Sequence, residues 1–184
     1  MNSDVTVSLG SGDISIPYEI HDENWNVTLA YTGPETKKGA RIKLVNRYLD
    51  NQRFMMTYGD GVSDVDIGKL ISNHEQSGAL ATFTGIQAIS RFATVEQDAT
   101  GKIIQWSEKK PLEDYINGGF FVMEPEVLDY ISGDVELEEE PMRLIAEERK
   151  LSMYKHHGFW QCMDTYRDYL YLNDLWNTGE APWK

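Results

Sequence analysis

The chain has 184 residues, of which 41% are hydrophobic, 11% aromatic and 26% charged, a balance typical of one packed globular domain. A net charge of -13 disfavours binding to nucleic acid and to anionic membranes, since both kinds of binding depend on basic side chains. The single cysteine, Cys162, excludes an internal disulfide and a cysteine-rich zinc site. No apolar run approaches the roughly 20 residues that span a bilayer, and the N-terminus has no signal-peptide pattern. We therefore expect one soluble, cytoplasmic domain over residues 1–184.

The hydrophobic pattern predicts strands and helices that alternate along the chain. In chain order these are a hairpin of strands 5–9 and 14–16, a strand at 26–31, a helix at 40–49, a strand at 54–58, a helix at 66–77, strands at 80–86, 92–96, 102–106 and 115–123, helices at 125–131 and 138–149, strands at 151–156 and 159–163, and a last helix at 165–176. Such alternation predicts an α/β fold, and the inserted hairpins make its sheet a mixed one.

Acidic residues follow the predicted strand 54–58, at Asp60, Asp64 and Asp66. A carboxylate just past the end of a buried strand lies where α/β sheets bind ligands, and the glycines on either side of Asp60 leave room for a phosphate or a metal. The spacing does not match a calcium-binding EF-hand loop. Capping of the next helix is the simpler explanation for Asp64 and Asp66, which leaves Asp60 as the candidate ligand.

Asp164 also ends an apolar strand and precedes a helix, so helix capping and ligand binding explain it equally well. If Asp60 and Asp164 lie at adjacent strand ends, they can hold one Mg²⁺, which prefers oxygen ligands and often joins protein carboxylates to substrate phosphates. The spacing in the sequence does not establish that the two residues meet.

A third group of polar residues comprises Glu108, Lys109 and Asn117, with Gly118 next to Asn117. A glutamate accepts hydrogen bonds from sugar hydroxyls, a lysine neutralises a phosphate, and an asparagine amide both donates and accepts. A glycine inside a strand lets a ligand or another backbone come close. A solvated surface is the alternative explanation for the charged members of this group.

Arg41 belongs to the densest basic patch of an acidic chain, and a solvated helix face is the alternative for it. The acidic run 136–140 is typical of a solvated helix start. The adjacent histidines 156 and 157 have no third ligand at metal-binding spacing. The sequence contains neither a P-loop nor a G-x-G-x-x-G motif, and no nucleophile in a catalytic setting is evident.

These motifs together resemble the sugar-phosphate nucleotidyltransferases, most closely the cytidylyltransferases that act on glucose 1-phosphate. The blocks that carry the resemblance are 39–43, 54–64, 91–92, 108–109, 116–122, 158–165 and 181–184. They run in order through almost the whole chain, and the blocks around Asp60 and Asp164 are the most specific. The resemblance implies a Rossmann-like mixed sheet of the nucleotidyltransferase type.

The resemblance also implies an activity, in which a nucleotidyl group passes from CTP to glucose 1-phosphate and gives CDP-glucose and pyrophosphate. The implied roles are Mg²⁺ binding by Asp60 and Asp164, contact with the sugar phosphate by Lys109, sugar binding by Glu108, Asn117 and Gly118, and nucleotide binding by Arg41. Positioning and charge neutralisation then supply most of the rate.

Two departures from the family pattern bear on activity. Members of the family begin with a strand and a glycine-rich G-x-G-T-R loop that cradles the triphosphate, and the sequence from Met1 starts after that point, so we expect an N-terminally truncated domain with little turnover of its own. Ala93 occupies a position where the family usually has glycine. The alternative is a non-catalytic sugar-phosphate-binding or assembly module. Strand 54–58, central in the family sheet, would have an unpaired edge, which predicts a homo-oligomer.

Overall fold

The computed structural model describes residues 26–89, 92–108 and 114–184, together with the backbone of residues 6–7 and 14–15. The chain divides into two compact units, Met1–Tyr31 and Thr32–Lys184. The organisation of residues 1–184 as a single domain stays a prediction. Within the described ranges, no helix is long and apolar enough to cross a membrane.

The first unit contains the predicted hairpin. Strands β1 (Thr6–Val7) and β2 (Ile14–Ser15) pair antiparallel, with Thr6 opposite Ser15. The strand predicted at 26–31 is wrong, because these residues adopt no regular structure. An alternating apolar pattern favours an extended chain, but a strand also needs a neighbour for its backbone hydrogen bonds, and residues 26–31 pair with no described strand.

The second unit carries the remaining elements. In chain order these are α1 (Lys38–Val45), β3 (Phe54–Thr57), β4 (Gly61–Ser63), α2 (Ile67–Ser77), β5 (Ala81–Ile86), β6 (Thr94–Gln97), β7 (Ile103–Ser107), β8 (Ile116–Met123), α3 (Glu140–Glu147), β9 (Leu151–His156), β10 (Trp160–Cys162) and α4 (Tyr166–Thr178). Short 3₁₀ helices cover Asn46–Tyr48 and Pro125–Tyr130. The α/β prediction is confirmed, with β4 as an unpredicted strand.

A four-stranded sheet in the order β3-β8-β5-β9 forms the centre of this unit. Strand β8 runs antiparallel to both of its neighbours, and β5 runs parallel to β9, so the predicted mixed sheet is confirmed. Nearly every residue of β5 is buried, as expected for an inner strand covered on both faces. The β6–β7 hairpin and the β4–β10 pair form separate two-stranded ribbons.

Helices cover both faces of the sheet. On one face, Ile42 of α1 and Ile145 of α3 pack with Phe121 of β8 in the main hydrophobic core, which the 3₁₀ helix 125–130 also joins. On the other face lies α2, whose buried His74 contacts Thr82 of β5 through Nδ1 at 2.8 Å. Side chains along a strand alternate between faces, so Thr82 and its neighbour Ala81, which belongs to the main core, serve opposite layers.

Candidate functional site

The β4–β10 ribbon brings the two predicted metal-binding aspartates close together in the backbone. The strands are antiparallel, with Gly61 opposite Cys162. One step further out, the backbone N–H of Met163 donates to the carbonyl oxygen of Asp60 at 2.7 Å. Asp164 is the next residue, and the side chains of Asp60 and Asp164 are both exposed. The two acidic residues, more than 100 positions apart in the sequence, therefore lie at one end of the same ribbon.

The capping alternatives are now resolved by the hydrogen bonds of each acid. Asp66 caps α2 by accepting from the N–H of Lys69 at 2.9 Å. At α4 the cap is Thr165, in a capping box with Asp168. Asp164 is therefore not the cap, and among the described residues its Oδ2 accepts only from a weak S–H donor, Cys162, at 3.2 Å. The carboxylate of Asp164 is free to take a stronger partner.

Asp64 has a structural role. Its Oδ1 lies 2.9 Å from Nε2 of His156, which also lies 3.3 Å from the hydroxyl of Ser63. This is not a Ser-His-Asp triad, because all these contacts converge on one imidazole nitrogen, and Ser63 donates instead to the carbonyl of Phe159 at 2.7 Å. Of the three acids that follow β3, Asp60 alone makes no side-chain hydrogen bond or ion pair within the described ranges.

The donor set suits Mg²⁺ better than a softer metal. Within the residues that the structure describes, no three His, Cys, Asp or Glu side chains cluster to hold an ion. Asp60 and Asp164 offer only oxygen ligands, and Mg²⁺ is commonly bound by one or two carboxylates, with water and substrate phosphates completing its shell. The arrangement fits a metal ion that binds together with a phosphorylated substrate.

Asn117 lies at the start of β8, next to the same ribbon. Its side-chain oxygen accepts from the N–H of Gly119 at 2.9 Å, and its Nδ2 donates to the hydroxyl of Tyr58 at 3.1 Å. The carbonyl of Gly118 accepts from the indole N–H of Trp160 on β10 at 2.7 Å. Through Trp160 the strand that carries Asn117 is tied directly to the strand that leads to Asp164.

Arg41 and Glu108 are not joined to these groups by any hydrogen bond or ion pair in the described part of the chain. Arg41, on α1, donates to the hydroxyl of Thr32 at 2.7 Å and to the carbonyl of Pro34 at 3.0 Å, both neutral acceptors. Glu108 follows β7 and is exposed. Lys109 lies outside the described residues.

Sequence reasoning missed a cluster beside Asn117, which we name the inner cluster: Tyr58, Glu138 and Lys38. The hydroxyl of Tyr58 donates to Oε1 of Glu138, and Nζ of Lys38 lies 2.7 Å from the same oxygen. The ammonium group also lies 5.3 Å from the centre of the Tyr58 ring. Glu138 belongs to the acidic run 136–140, whose composition indicated only a solvated helix start. The position of Tyr58, two residues before the glycine-flanked Asp60, was the one available signal.

Burial and hydrogen bonding shift the proton equilibria of the inner cluster. Burial and the bond to Glu138 raise the pKa of Tyr58 far above its usual value, so the phenol stays protonated. Burial acts to raise the pKa of Glu138, but the Lys38 ammonium and the Tyr58 hydroxyl outweigh it, and this pKa lies below its usual value. At neutral pH the phenol of Tyr58 is therefore protonated and the carboxyl group of Glu138 ionised.

Comparisons with known proteins agree with this architecture. The family model described as "Nucleotidyl transferase" matches residues 11–177. A glucose-1-phosphate cytidylyltransferase from Salmonella typhi is 42% identical over 186 residues, which cover 99% of this chain and 71% of that protein. The corresponding protein from Salmonella typhimurium gives the same identity and coverage.

The fold also matches a solved structure, that of HddC from Yersinia pseudotuberculosis, with a TM-score of 0.56 at 16% identity. The match covers 79% of this chain and 64% of the HddC chain, just under two thirds, and it supports the fold alone. The family model spans most of the chain, and the Salmonella proteins are similar along nearly all of it. This chain belongs to the nucleotidyl transferase family.

Proposed function

We propose that this chain binds a sugar 1-phosphate beside a Mg²⁺ ion held by Asp60 and Asp164, as its part of a nucleotidyl transfer. The Salmonella relatives are named glucose-1-phosphate cytidylyltransferases, and we propose the reaction that this name describes. CTP is the nucleotidyl donor, glucose 1-phosphate is the acceptor, and CDP-glucose and pyrophosphate are the products. The observation that carries the proposal is the hydrogen bond between Met163 and Asp60, which pairs the ends of β4 and β10 at the two acids.

The transfer is an in-line displacement at phosphorus. An oxygen of the sugar phosphate attacks the α-phosphorus of CTP, and the bond from that phosphorus to the β-phosphate oxygen breaks, so pyrophosphate leaves. Mg²⁺, when bound, neutralises charge on the phosphate oxygens. The chain's own residues contribute by orienting the sugar phosphate, since transfers of this kind depend mainly on positioning and on charge stabilisation.

Asn117 and Gly118 form the sugar side of the proposed site. Among the described residues, the amide of Asn117 makes two hydrogen bonds, which leave one N–H and one lone pair that suit a hydroxyl group. Glu108 is proposed as a second acceptor for sugar hydroxyls, Lys109 as the cation for the sugar phosphate, and Arg41 as a contact for the nucleotide. For Arg41, the two neutral acceptors that it now contacts leave its positive charge available.

Titration of the protein with glucose 1-phosphate, with and without Mg²⁺, tests the proposal by calorimetry. We expect Mg²⁺ to strengthen binding, and Asp60→Asn or Asp164→Asn to remove most of that gain, weakening binding by roughly tenfold or more. Asp174→Asn is the matched control, since Asp174 is an exposed acid on α4 outside the proposed site. An affinity for glucose 1-phosphate that does not depend on Mg²⁺, or that is unchanged in both site variants, would contradict the proposed metal site.

Pyrophosphate release from CTP and glucose 1-phosphate tests the transfer itself. Low turnover of the 184 residues alone stays a prediction. Turnover that Asp60→Asn abolishes would establish the enzyme and overturn that prediction. Sugar-phosphate binding without turnover would agree both with that prediction and with the alternative of a non-catalytic binding module.

Self-association and a cytoplasmic location also stay predictions. Among the described strands, β3 pairs with β8 alone and forms one edge of the sheet, and Met55 on β3 is 44% exposed. Edge strands of this kind are available for pairing with another chain. Light scattering at micromolar concentration decides the matter, since a stable monomer would contradict the predicted homo-oligomer.

A further inference from the structure

We infer that Tyr58 and Glu138 are positioning residues for Asn117, and that they act by fixing the direction of a chain of hydrogen bonds. The inference rests on the proposed function, in which Asn117 binds the sugar. Neither residue needs to touch the substrate. Their effect on binding passes through the orientation of one carboxamide.

The two ends of the hydrogen-bond chain set its direction. The backbone N–H of Gly119 can only donate, so the atom of Asn117 that faces it must be the oxygen. At the other end, the ionised Glu138 can only accept, so the hydroxyl of Tyr58 must donate to it. A lone pair of that hydroxyl then accepts from Nδ2 of Asn117.

The direction of these hydrogen bonds fixes which atoms of the Asn117 carboxamide can bind a ligand. Turning the carboxamide over would place its NH₂ group against the N–H of Gly119, two donors facing each other, and its oxygen against a hydroxyl whose proton is already engaged. The carboxamide is therefore held in one of its two orientations. One N–H and one lone pair of Asn117 remain for a sugar hydroxyl.

Packing and charge hold the inner cluster in place. The Cβ that Gly119 lacks would lie 2.8 Å from Cδ2 of Tyr58, so the ring presses directly on this glycine. The N–H of Tyr58 donates to the carbonyl of Gly119 at 3.1 Å, which fixes the backbone beneath the ring. Lys38, 2.7 Å from Glu138, keeps that carboxylate ionised and so keeps it an acceptor.

A first experiment follows the side-chain amide of Asn117 by NMR in the unliganded protein. The side-chain ¹H–¹⁵N signals of Asn117, assigned by their loss in Asn117→Ala, are compared between the wild type and Tyr58→Phe. We expect both signals to move and their solvent exchange to speed up, because one N–H has lost its acceptor. Signals that stay in place in Tyr58→Phe would overturn the inference.

The matched control comes from a second set of the same side chains, which we name the outer cluster: Tyr130, Glu148 and Lys150. The hydroxyl of Tyr130 donates to Oε2 of Glu148 at 2.6 Å, and Lys150 lies 2.6 Å from the same oxygen. Tyr130→Phe removes the same hydroxyl from the same kind of partner. It should leave the signals of Asn117 and the affinity for glucose 1-phosphate unchanged.

A second experiment is a double-mutant cycle on the affinity for glucose 1-phosphate. We expect Tyr58→Phe to weaken binding by roughly three- to tenfold, the size of one neutral hydrogen bond. In the Asn117→Ala background the same change should cause no further loss, because its effect passes through Asn117. An equal loss in both backgrounds would mean that Tyr58 acts independently of Asn117, and would overturn the inference.

An alternative variant and an alternative readout cover the cases in which Tyr58→Phe does not fold or glucose 1-phosphate does not bind. If Tyr58→Phe does not fold, Glu138→Gln replaces it. The glutamine amide at position 138 can both donate and accept, so the hydrogen bond of Tyr58 loses its fixed direction. We expect a smaller weakening of glucose 1-phosphate binding, which also disappears in the Asn117→Ala background. If the wild type does not bind glucose 1-phosphate, the proposed function fails, while the amide signals still decide whether Tyr58 orients Asn117.

Discussion

The inner and outer clusters contain the same three side-chain types in similar contact, yet they lie in different settings. In each, a tyrosine hydroxyl and a lysine ammonium group share one glutamate oxygen, and the ammonium group also lies within 6 Å of the ring centre, at 5.3 Å for Lys38 and 5.8 Å for Lys150. The glutamate of the inner cluster retains 30% of its side-chain exposure against 49% for Glu148. Only the inner tyrosine passes its hydrogen bond on to an asparagine in the proposed site.

The comparison shows that setting decides what a group of polar side chains can do. Glu148 and Lys150 are two residues apart, so their contact is local and exposed, and contacts of this kind contribute little to stability. Tyr58 and Glu138 are 80 residues apart, so their contact exists only when β3 and the segment before α3 are both in place. The inner cluster therefore joins segments 80 residues apart, whereas the outer cluster joins the 3₁₀ helix 125–130 to the turn after α3, 18 residues away.

The largest expected effect comes from adding a methyl group beneath the inner tyrosine. Gly119→Ala places a side chain at a φ of +82° and drives its Cβ into the Tyr58 ring. We expect a loss of about 2–4 kcal/mol in the free energy of unfolding, from backbone strain and overpacking together. Urea denaturation followed by circular dichroism measures it.

Gly133→Ala is the control for that change. Gly133 has a similar φ of +76°, but its Cβ would meet no atom within 4 Å. Its expected cost is that of the left-handed backbone alone, about 1 kcal/mol. Equal losses in the two variants would show that the Tyr58 ring does not press on Gly119.

Removal of the lysine from each cluster should have a smaller and unequal effect. Lys38→Met leaves the half-buried carboxylate of Glu138 without its cation, and we expect a loss of about 1–2 kcal/mol. Lys150→Met leaves Glu148 exposed to water, so we expect a clearly smaller loss. The same denaturation assay compares them, and a Lys150→Met variant as unstable as Lys38→Met would remove the distinction between the clusters.

The sequence identified Asp60 and Asp164 as candidate ligands and missed Glu138, for a physical reason. Asp60 and Asp164 stood out because each comes within two residues of the end of a predicted apolar strand, where α/β sheets bind ligands. Their meeting depends on the antiparallel pairing of β4 with β10, and β4 was not predicted. Glu138 belongs to a run of glutamates that differ in exposure. The side chains of Glu136 and Glu138 are partly buried, whereas those of Glu139 and Glu140 are exposed. Composition does not distinguish the members of such a run, because the turn that orients them is set by packing between α3 and the sheet.

The strands show the same division. Strands 80–86 and 115–123 were predictable because their apolar runs form inner strands that are largely buried, where pattern and environment agree. Strand 54–58 has an apolar run too, although as an edge strand it alternates between half-buried and exposed residues. The alternating segment 26–31 has an equally good pattern but forms no strand. A pattern specifies which face of a strand can be buried, and the partner that completes the strand comes from elsewhere in the chain.

The smallest expected effect is a change in the pH dependence of the free energy of unfolding, which should differ between variants of Glu138 and of Glu148. Glu138 has a folded-state pKa below the value of 4.5 typical of a glutamate, so its charge stabilises the fold above that pH, and the contribution is lost as the pH falls through the folded-state pKa. Glu138→Gln keeps the shape and an acceptor, so we expect it to cost only about 0.5–1 kcal/mol near neutral pH after solvent screening. The difference from the wild type should shrink towards zero in acid.

Glu148 also has a lowered pKa, through Lys150 and Tyr130, so Glu148→Gln should change stability with pH in the same direction. Because Glu148 is exposed, high salt should abolish its difference from the wild type, whereas the half-buried Glu138 should keep most of its own. Unfolding curves across the acidic range, at low and high salt, measure both. If salt abolished the two differences equally, burial would not be what distinguishes the inner cluster, and Glu138 would be as solvated as its place in an acidic run first indicated.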